Sequence, residues 1–240
     1  MAAADRPNIH QTNLVSIVIP TLNEERRVAS CLRSLQDQDP PVEILVVDGG
    51  STDATVEIAR QMGIEVLSSA PGLARQLNAG AAAAAGGALL FVHADTRLPH
   101  SAVRKVRRAI DGGVGGGGFT MRFNCPHASY YIAAVLADIY CGLTKNLFGD
   151  RALFATRQAF LDVGGFREID LMSDLDFVVR LRRRGHAVRL IRGPVVSSAR
   201  RFENTSIWRG LWWAWRLCRA FHSGRPLDKI AARFYSSPRR

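Results

Sequence analysis

Residues 89–96 read LLFVHADT, four apolar residues without a charge followed by a histidine, a small residue and a carboxylate. An apolar run this short, bounded by turn-forming residues, predicts a strand buried on both faces. In open α/β sheets, ligands bind beyond the carboxyl ends of such strands. Asp95 is thereby expected at the mouth of a cleft. Residues 44–53, ILVVDGGSTD, follow the same grammar, with Asp48, two glycines, and then Ser51, Thr52 and Asp53 opening a helix. The strand that begins at Val15, VSIVIP, does so again ahead of Thr21, Asn23, Glu24 and Glu25. Three strands therefore carry polar residues to one edge of a sheet.

Working outward, Pro20 is expected to end the first strand after Ile19. Asn23 is placed to cap a helix whose first turn holds Glu24 and Glu25, favourable at the positive end of its dipole, and Val28, Leu32 and Leu35 recur at helical spacing. A helix over 53–62 stops at Gly63, and residues 64–67 give a third strand. Leu73, Leu77 and Ala81 mark a helix that runs through an alanine-rich stretch to Gly86 and Gly87; alanine is the best helix former. A strand over 88–92 completes a β-α-β-α-β-α-β series, the pattern of a parallel sheet covered by helices.

Beyond Asp95 the pattern changes. A helix over 101–110 leads into residues 112–118, with six glycines in seven positions, which suit either a close approach of backbone to a ligand or a mobile loop. A strand over 119–123, a helix over 129–143, a strand over 152–155, a helix over 174–184 and a strand over 187–191 follow. The tail holds a helix over 205–221 with all four tryptophans, Trp208, Trp212, Trp213 and Trp215, interleaved with Arg209, Arg216 and Arg219. That mixture suits a membrane interface, or a helix docked on the domain with indoles in the core.

The 240 residues fit one α/β domain, and a hydrophobic content of 47% agrees with a substantial core. With 32 basic and 21 acidic side chains the net charge is +11, which favours anionic partners without choosing among them. The four cysteines are widely spaced with no C-x-x-C pair, so neither a zinc site nor a disulfide framework is indicated and a reduced cytosolic setting is the simpler reading. No apolar run reaches the length of a membrane span; residues 130–147 come nearest and carry Asp138 and Lys145. A soluble or peripheral protein is expected, cytoplasmic or on the inner face of the membrane.

The informative feature is the combination of Asp48 and Asp53 after the second strand, Asp95 after the fourth, and Asp174 at a helix start behind a glycine turn. Carboxylates gathered at one edge of a basic protein suit a divalent cation bound jointly with a diphosphate, since hard oxygen ligands prefer magnesium or manganese. That in turn suits a nucleotide substrate.

Taken in order, SIVIPTLNEE, VVDGGSTDAT, FVHADT, GGF and SDLDFVVRLRRRG resemble the inverting family 2 glycosyltransferases of GT-A fold over residues 15–191. RQLNAG before HADT, and FGDR before GGF, look most like the compact bacterial branch labelled arsenosugar-biosynthesis type. The resemblance implies a Rossmann-like, mostly parallel sheet flanked by helices. It divides the chain into a leader over 1–13, a GT-A domain over 14–200 with a nucleotide-binding half (14–98) and an acceptor half (99–200), and an amphipathic helical tail over 201–240. It implies a hexosyl- or related transferase acting on a UDP- or GDP-linked sugar with Mn2+ or Mg2+. Pro20, Thr21 and Glu24 would line the nucleotide pocket and Asp48 would bond the base edge. Asp95 would hold the metal, and Asp174 would act as general base on an acceptor hydroxyl. Arg75 is a candidate cation for the phosphates, and Asp150 and Ser173 are candidates for the acceptor side. Arg200 and Arg201 are a late charge run that would reach the diphosphate or stay solvated.

The chain departs from the family pattern at two places. His93 stands at the first D-x-D position, as an imidazole ligand or an outer group, and Ser173 stands where the family often has glutamate. A sugar-phosphate nucleotidyltransferase would want a glycine-rich basic loop where this chain has PTLNEE, and a dinucleotide dehydrogenase would want G-x-G-x-x-G. The remaining alternative is a catalytically degenerate adaptor of the same fold that binds anionic membrane or nucleic acid. Nucleic acid is the less favoured partner because no recognised motif for it is present.

Overall fold

In a computed structural model of the chain, residues 13–36, 38–39, 42–200 and 206–224 are described; the leader over 1–12, Arg201 and the last part of the tail lie outside them. The elements are β1 (Val15–Thr21), α1 (Glu25–Gln36), β2 (Val42–Asp48), α2 (Thr55–Gln61), β3 (Glu65–Ser68), α3 (Leu73–Ala83), β4 (Ala88–Phe91) and α4 (Ala102–Asp111). They continue with β5 (Gly116–Phe123), α5 (Ala128–Thr144), a 3-10 turn (Gly149–Arg151), β6 (Phe154–Thr156), α6 (Arg157–Asp162), α7 (Ser173–Arg183), β7 (Val188–Ser197) and α8 (Ile207–His222). Seven strands form one sheet in the order β3-β2-β1-β4-β6-β5-β7. The pairs among β1 to β4 are parallel, as expected, β6 runs antiparallel to both β4 and β5, and β5 pairs parallel with β7.

Helices on both faces explain the unbroken apolar runs. Leu90 and Val92 join Ile17, Ile19 and Val46 under Val28, Leu32 and Leu35 of α1 and Val103 and Val106 of α4. Leu89 and Phe91 point the other way, with Val18, Leu45 and Val47, into a core closed by Leu77 and Ala81 of α3 and Phe177 and Leu181 of α7. Successive residues of a strand face opposite sides, so both faces need apolar residues and no alternation survives in the sequence.

Several expectations are corrected. Pro20 lies inside β1, opposite Val47. The missing N–H is tolerated because β4 ends at Phe91, paired with Val18, and no ladder partner remains on that side. Asn23 adopts a left-handed conformation (φ 55°) and its side chain accepts from the Thr52 N–H, while the Arg27 and Val28 N–H groups of α1 bond the Glu24 carbonyl. The glycine run is neither a ligand-approach loop nor a mobile one. Residues 116–118 are buried in β5, and a Cβ at Gly117 would sit 2.1 Å from the Arg189 carbonyl oxygen and 2.8 Å from the Phe154 ring. Helix α6 was not foreseen; Thr156 caps it by accepting from the Ala159 N–H.

Gly117→Ala is expected to destabilise the fold by about 3 kcal/mol, a Tm drop of roughly 6–12 °C for a chain of this size. Gly142→Ala serves as the control. It lies within α5 with only Leu190 nearby at 3.9 Å, and should be neutral or stabilising by up to ~1 kcal/mol. Thermal melts of both variants check this.

Candidate functional site

The carboxyl ends of β1, β2 and β4 meet at one edge and are held there by polar groups that the sequence places just beyond each strand. The Asp48 carboxylate, 6% exposed, accepts from the Thr21 hydroxyl (3.1 Å), the Ser51 hydroxyl (2.5 Å), the Gly50 N–H (2.9 Å) and the Ser51 N–H (2.8 Å). Burial alone would raise its pKa, but the Ser51, Gly50 and Thr21 donors outweigh it and the carboxyl is held below the ordinary range. Asp53 accepts from the Thr55 hydroxyl and N–H and from the Glu25 N–H, and Asn23 receives Thr52, so the turn after β2 is laced to the start of α1. Gln76, buried in α3, donates to both Thr21 and Val47 carbonyl oxygens at 2.8 Å, from the third side.

A cleft of about 150 Å³ opens above this frame. Pro20, Thr21, Glu24, His93 and Asp95 line it, together with Leu22, Leu73, Gln76 and Arg200. Arg200 bridges the acids, its guanidinium 2.7 Å from Glu24 Oε1 and 3.4 Å from Asp95 Oδ2. Two carboxylates thus converge on one cation. Among the described residues no group of three His, Cys, Asp or Glu side chains forms a metal cage. A site of this kind fits a magnesium- or manganese-type ion that takes its remaining ligands from substrate phosphates, the usual coordination for a hard cation on one or two carboxylates.

Asp174 stands in an adjoining recess lined also by His93, Gly149, Leu77 and Phe166, so His93 belongs to the wall between the two spaces. Its Oδ2 accepts the Gly149 N–H at 2.7 Å and its Oδ1 accepts the Leu175 N–H at 2.8 Å. Burial raises the pKa of Asp174; the two N–H donors and His93 work against that, and the charge of Asp150 adds to it. The glycine turn that covers the recess is fixed by Asn78, which exchanges hydrogen bonds with the Phe166 backbone, and by Arg180, which donates to the Gly165 carbonyl and pairs with Asp176 at 2.7 Å.

Four other expected site residues, Asp48, Arg75, Asp150 and Ser173, are not among those lining the cleft. The Asp48 carboxylate is engaged by the turn. Arg75 is exposed and ion-paired with Glu168 at 2.6 Å. Ser173 is buried at the start of α7, and Asp150 is exposed beside Gly149. Sequence reasoning missed Gln76, Leu73 and Gly149. For Gln76 a signal existed, since it falls on the buried stripe with Leu77 and Gly80, where an amide needs a reason.

Residues 16–132 match the sequence family described as Glycosyl transferase family 2. An uncharacterized protein of Mycobacterium tuberculosis (strain CDC 1551 / Oshkosh) is 32% identical over 199 residues; the match covers 71% of this chain and 62% of that protein, so the chain spans under two thirds of its length. Among solved structures, a mannosyltransferase from Pyrobaculum calidifontis in complex with GDP-Man and Mn2+ superposes with a TM-score of 0.65 at 23% identity, over 93% of this chain and 65% of that one. Glucosyl-3-phosphoglycerate synthase from Mycobacterium tuberculosis, in complex with Mn2+, UDP and glucosyl-3-phosphoglycerate, gives a TM-score of 0.63 at 22% identity over 89% and 81%. The fold is therefore the GT-A fold, and the likeness to family 2 read from the sequence holds; the arsenosugar-type label is not among these matches.

The Arg200 guanidinium occupies the carboxylates that face the cleft, so a metal ion at Asp95 would have to compete with it. Arg200→Ala is expected to strengthen Mn2+ binding without nucleotide by several-fold, a modest gain because Arg200 is 42% exposed and its ion pairs are screened. The same variant should weaken UDP or GDP binding in the presence of Mn2+. Calorimetric titration reads both.

Proposed function

We propose that this chain, which matches Glycosyl transferase family 2 over residues 16–132 and has the GT-A fold, transfers a sugar from a UDP- or GDP-linked donor to an acceptor hydroxyl with inversion at the anomeric carbon. The observation that carries this reading is the pairing of two spaces across His93, an acidic cleft that already gathers a cation and a recess holding one raised, partly buried carboxylate.

In this reading the backbone and side chains of Pro20, Thr21 and Glu24 receive the nucleoside. Asp48 shapes that turn from beneath and does not touch the base. Asp95 would hold an Mn2+ or Mg2+ ion, with His93 beside it, and Arg200, paired with Glu24 and Asp95, would turn toward the phosphates. The bound metal supplies charge stabilisation to the departing diphosphate. Asp174 accepts the proton of the acceptor hydroxyl as its oxygen bonds to the anomeric carbon. The bond from that carbon to the diphosphate oxygen breaks on the opposite face, and its electron pair leaves with the phosphate. Asp150 and Ser173 border the acceptor side. The tryptophan-bearing helix α8 meets the inner face of a membrane, and the enzyme is otherwise cytoplasmic. The supporting observation for that contact is that Trp208, Trp212 and Trp215 are each close to half exposed.

Calorimetric titration with UDP and with GDP, with and without Mn2+, tests the donor site. Micromolar binding of one nucleotide that is lost both without metal and in Asp95→Ala is the expected result, and no binding under any condition would favour the degenerate adaptor. Asp174→Asn should retain nucleotide binding while lowering kcat by about 10²–10⁴-fold, the usual contribution of a general base. Because the ionised carboxylate is the active form and its pKa is raised, kcat/KM should climb with pH through a midpoint above the ~3.9 of an ordinary aspartate. A pH–rate profile flat from pH 4 upward would rule Asp174 out as the base.

A further inference from the structure

We propose that the outer faces of α5 and α8 together form one platform that rests on an anionic lipid bilayer, with α5 as much a part of the contact as the tryptophan helix. The inference rests on the membrane contact of α8 proposed above and enlarges it to a helix that its sequence marked only as too short and too charged to span.

Nine of the thirteen exposed large apolar side chains among the described residues lie on these two helices. On α5, Ile132, Leu136, Ile139 and Leu143 follow at intervals of four, three and four residues, with Tyr131 and Val135 beside them, and Leu143 is 80% exposed. Such spacing lines one helix face, and eleven residues of helix make a stripe about 17 Å long. Soluble surfaces scatter their exposed apolar residues singly; a contiguous stripe marks a contact. The one acid on α5, Asp138, turns inward, to the buried Arg151 guanidinium and the Met121 N–H. The outward face is left with no charge.

Helix α8 adds Trp208, Trp212 and Trp215 on its exposed side and has no acidic residue. Two of its arginines stay with the indoles: Arg216 lies 4.7 Å from the Trp212 ring centre and 5.2 Å from that of Trp213, and Arg219 lies 4.9 Å from Trp215. Cation and indole therefore share one level, the arrangement that suits a headgroup layer. The inner side of α8 is satisfied by packing, since Cys218 joins Leu175 and Val179 of α7 and meets Tyr140 of α5. The two helices are thus fixed to each other and to the helix that carries Asp174.

Charge and chemistry select the occupant. A second copy would press two cationic faces together, each on a chain of net charge +11. A protein partner would ask for roughly one hydrogen bond per 100–200 Å², and the α5 stripe offers only the Tyr131 hydroxyl. An anionic bilayer asks for apolar depth, indoles and cations, and no more. Neither helix is long and apolar enough to cross it, so the platform lies on the surface.

Co-sedimentation of the full chain with vesicles of phosphatidylcholine, alone or mixed with phosphatidylglycerol, tests the proposal. The wild type, the triple variant Leu136→Ser, Ile139→Ser, Leu143→Ser, and the triple variant Trp208→Ser, Trp212→Ser, Trp215→Ser are compared. Circular dichroism and melting temperature verify that each variant is folded. The wild type should bind phosphatidylglycerol vesicles more tightly than phosphatidylcholine, less so at high salt, and each triple variant should lose about tenfold or more in partitioning. Loss confined to the tryptophan variant would overturn the role of α5 while leaving the contact of α8 standing. Failure of the wild type to bind either vesicle would overturn both. A wild-type dimer in sedimentation equilibrium that the α5 substitutions dissolve would overturn the role of α5.

Discussion

Four donors converge on the Asp48 carboxylate, and the geometry of the cleft depends on that convergence. Parallel strands stop where their ladders stop, and the chain beyond each end has no regular partner. Here the Thr21 hydroxyl at the end of β1 and the Gly50 and Ser51 donors after β2 share one acceptor, so two strand ends and a turn become a single rigid object. Gln76 closes it from α3 by donating to the Thr21 and Val47 carbonyls near the ends of both strands. A carboxylate can serve four donors where an amide oxygen serves about two. The lowered pKa of Asp48 is the same fact seen as energy: ionisation is coupled to the fold, so this stability is present above the unfolded pKa and fades as pH falls through the lower folded value.

Asp174 is arranged oppositely. It also accepts two backbone N–H groups, yet burial and the neighbouring Asp150 prevail and its pKa rises. Its raised folded value means that the protonated form is the one the fold favours. Stability from this group is full below the unfolded pKa and declines as pH rises through the folded one. One aspartate is thus used to hold structure and another is kept at an energetic disadvantage in its charged form, the condition in which a carboxylate takes up a proton readily. Their sequence contexts, VVDGGS and MSDLDF, differ mainly in what surrounds them: Asp48 is followed by small residues with free N–H groups, and Asp174 lies among apolar ones.

This contrast explains what was legible in the sequence. The strands β1, β2 and β4 and the polar residues after them were readable, because uninterrupted apolar runs and turn residues are local signals. Asp95, Glu24 and Asp174 reach the site because the topology alone takes them there. That Asp48 is engaged by its own turn was not legible, because a strand-end carboxylate looks the same in sequence whichever way its oxygens face; the positions of Ser51 and Thr21 set it. Residues 112–118 were misread for a similar reason. Glycine permits both a loop and a strand squeezed between neighbours, and what made it a strand, the Phe154 ring and the Arg189 carbonyl, lies far away in sequence. Arg200 reaches Glu24 across 176 residues, beyond any local pattern.

The histidine at position 93 has its physical meaning in the same place. A Cβ at Gly149 would lie 2.6 Å from His93 Nε2 and 3.4 Å from Asp174 Oδ2, so imidazole and carboxylate crowd one point and only glycine leaves room between them. The ring is therefore directed toward the recess of Asp174 as well as the cleft of Asp95. A carboxylate at position 93 would place a fourth negative charge among Glu24, Asp95 and Asp174, and neighbouring like charges raise each other's pKa. With histidine there, the acid count around the cleft stays at a pair that Arg200 can balance, and the Asp174 carboxylate is eased toward its charged form by the neighbouring ring. The departure from the D-x-D pattern and the glycine before Asp150 are consistent with each other: the wider side chain is accommodated by the residue that has none.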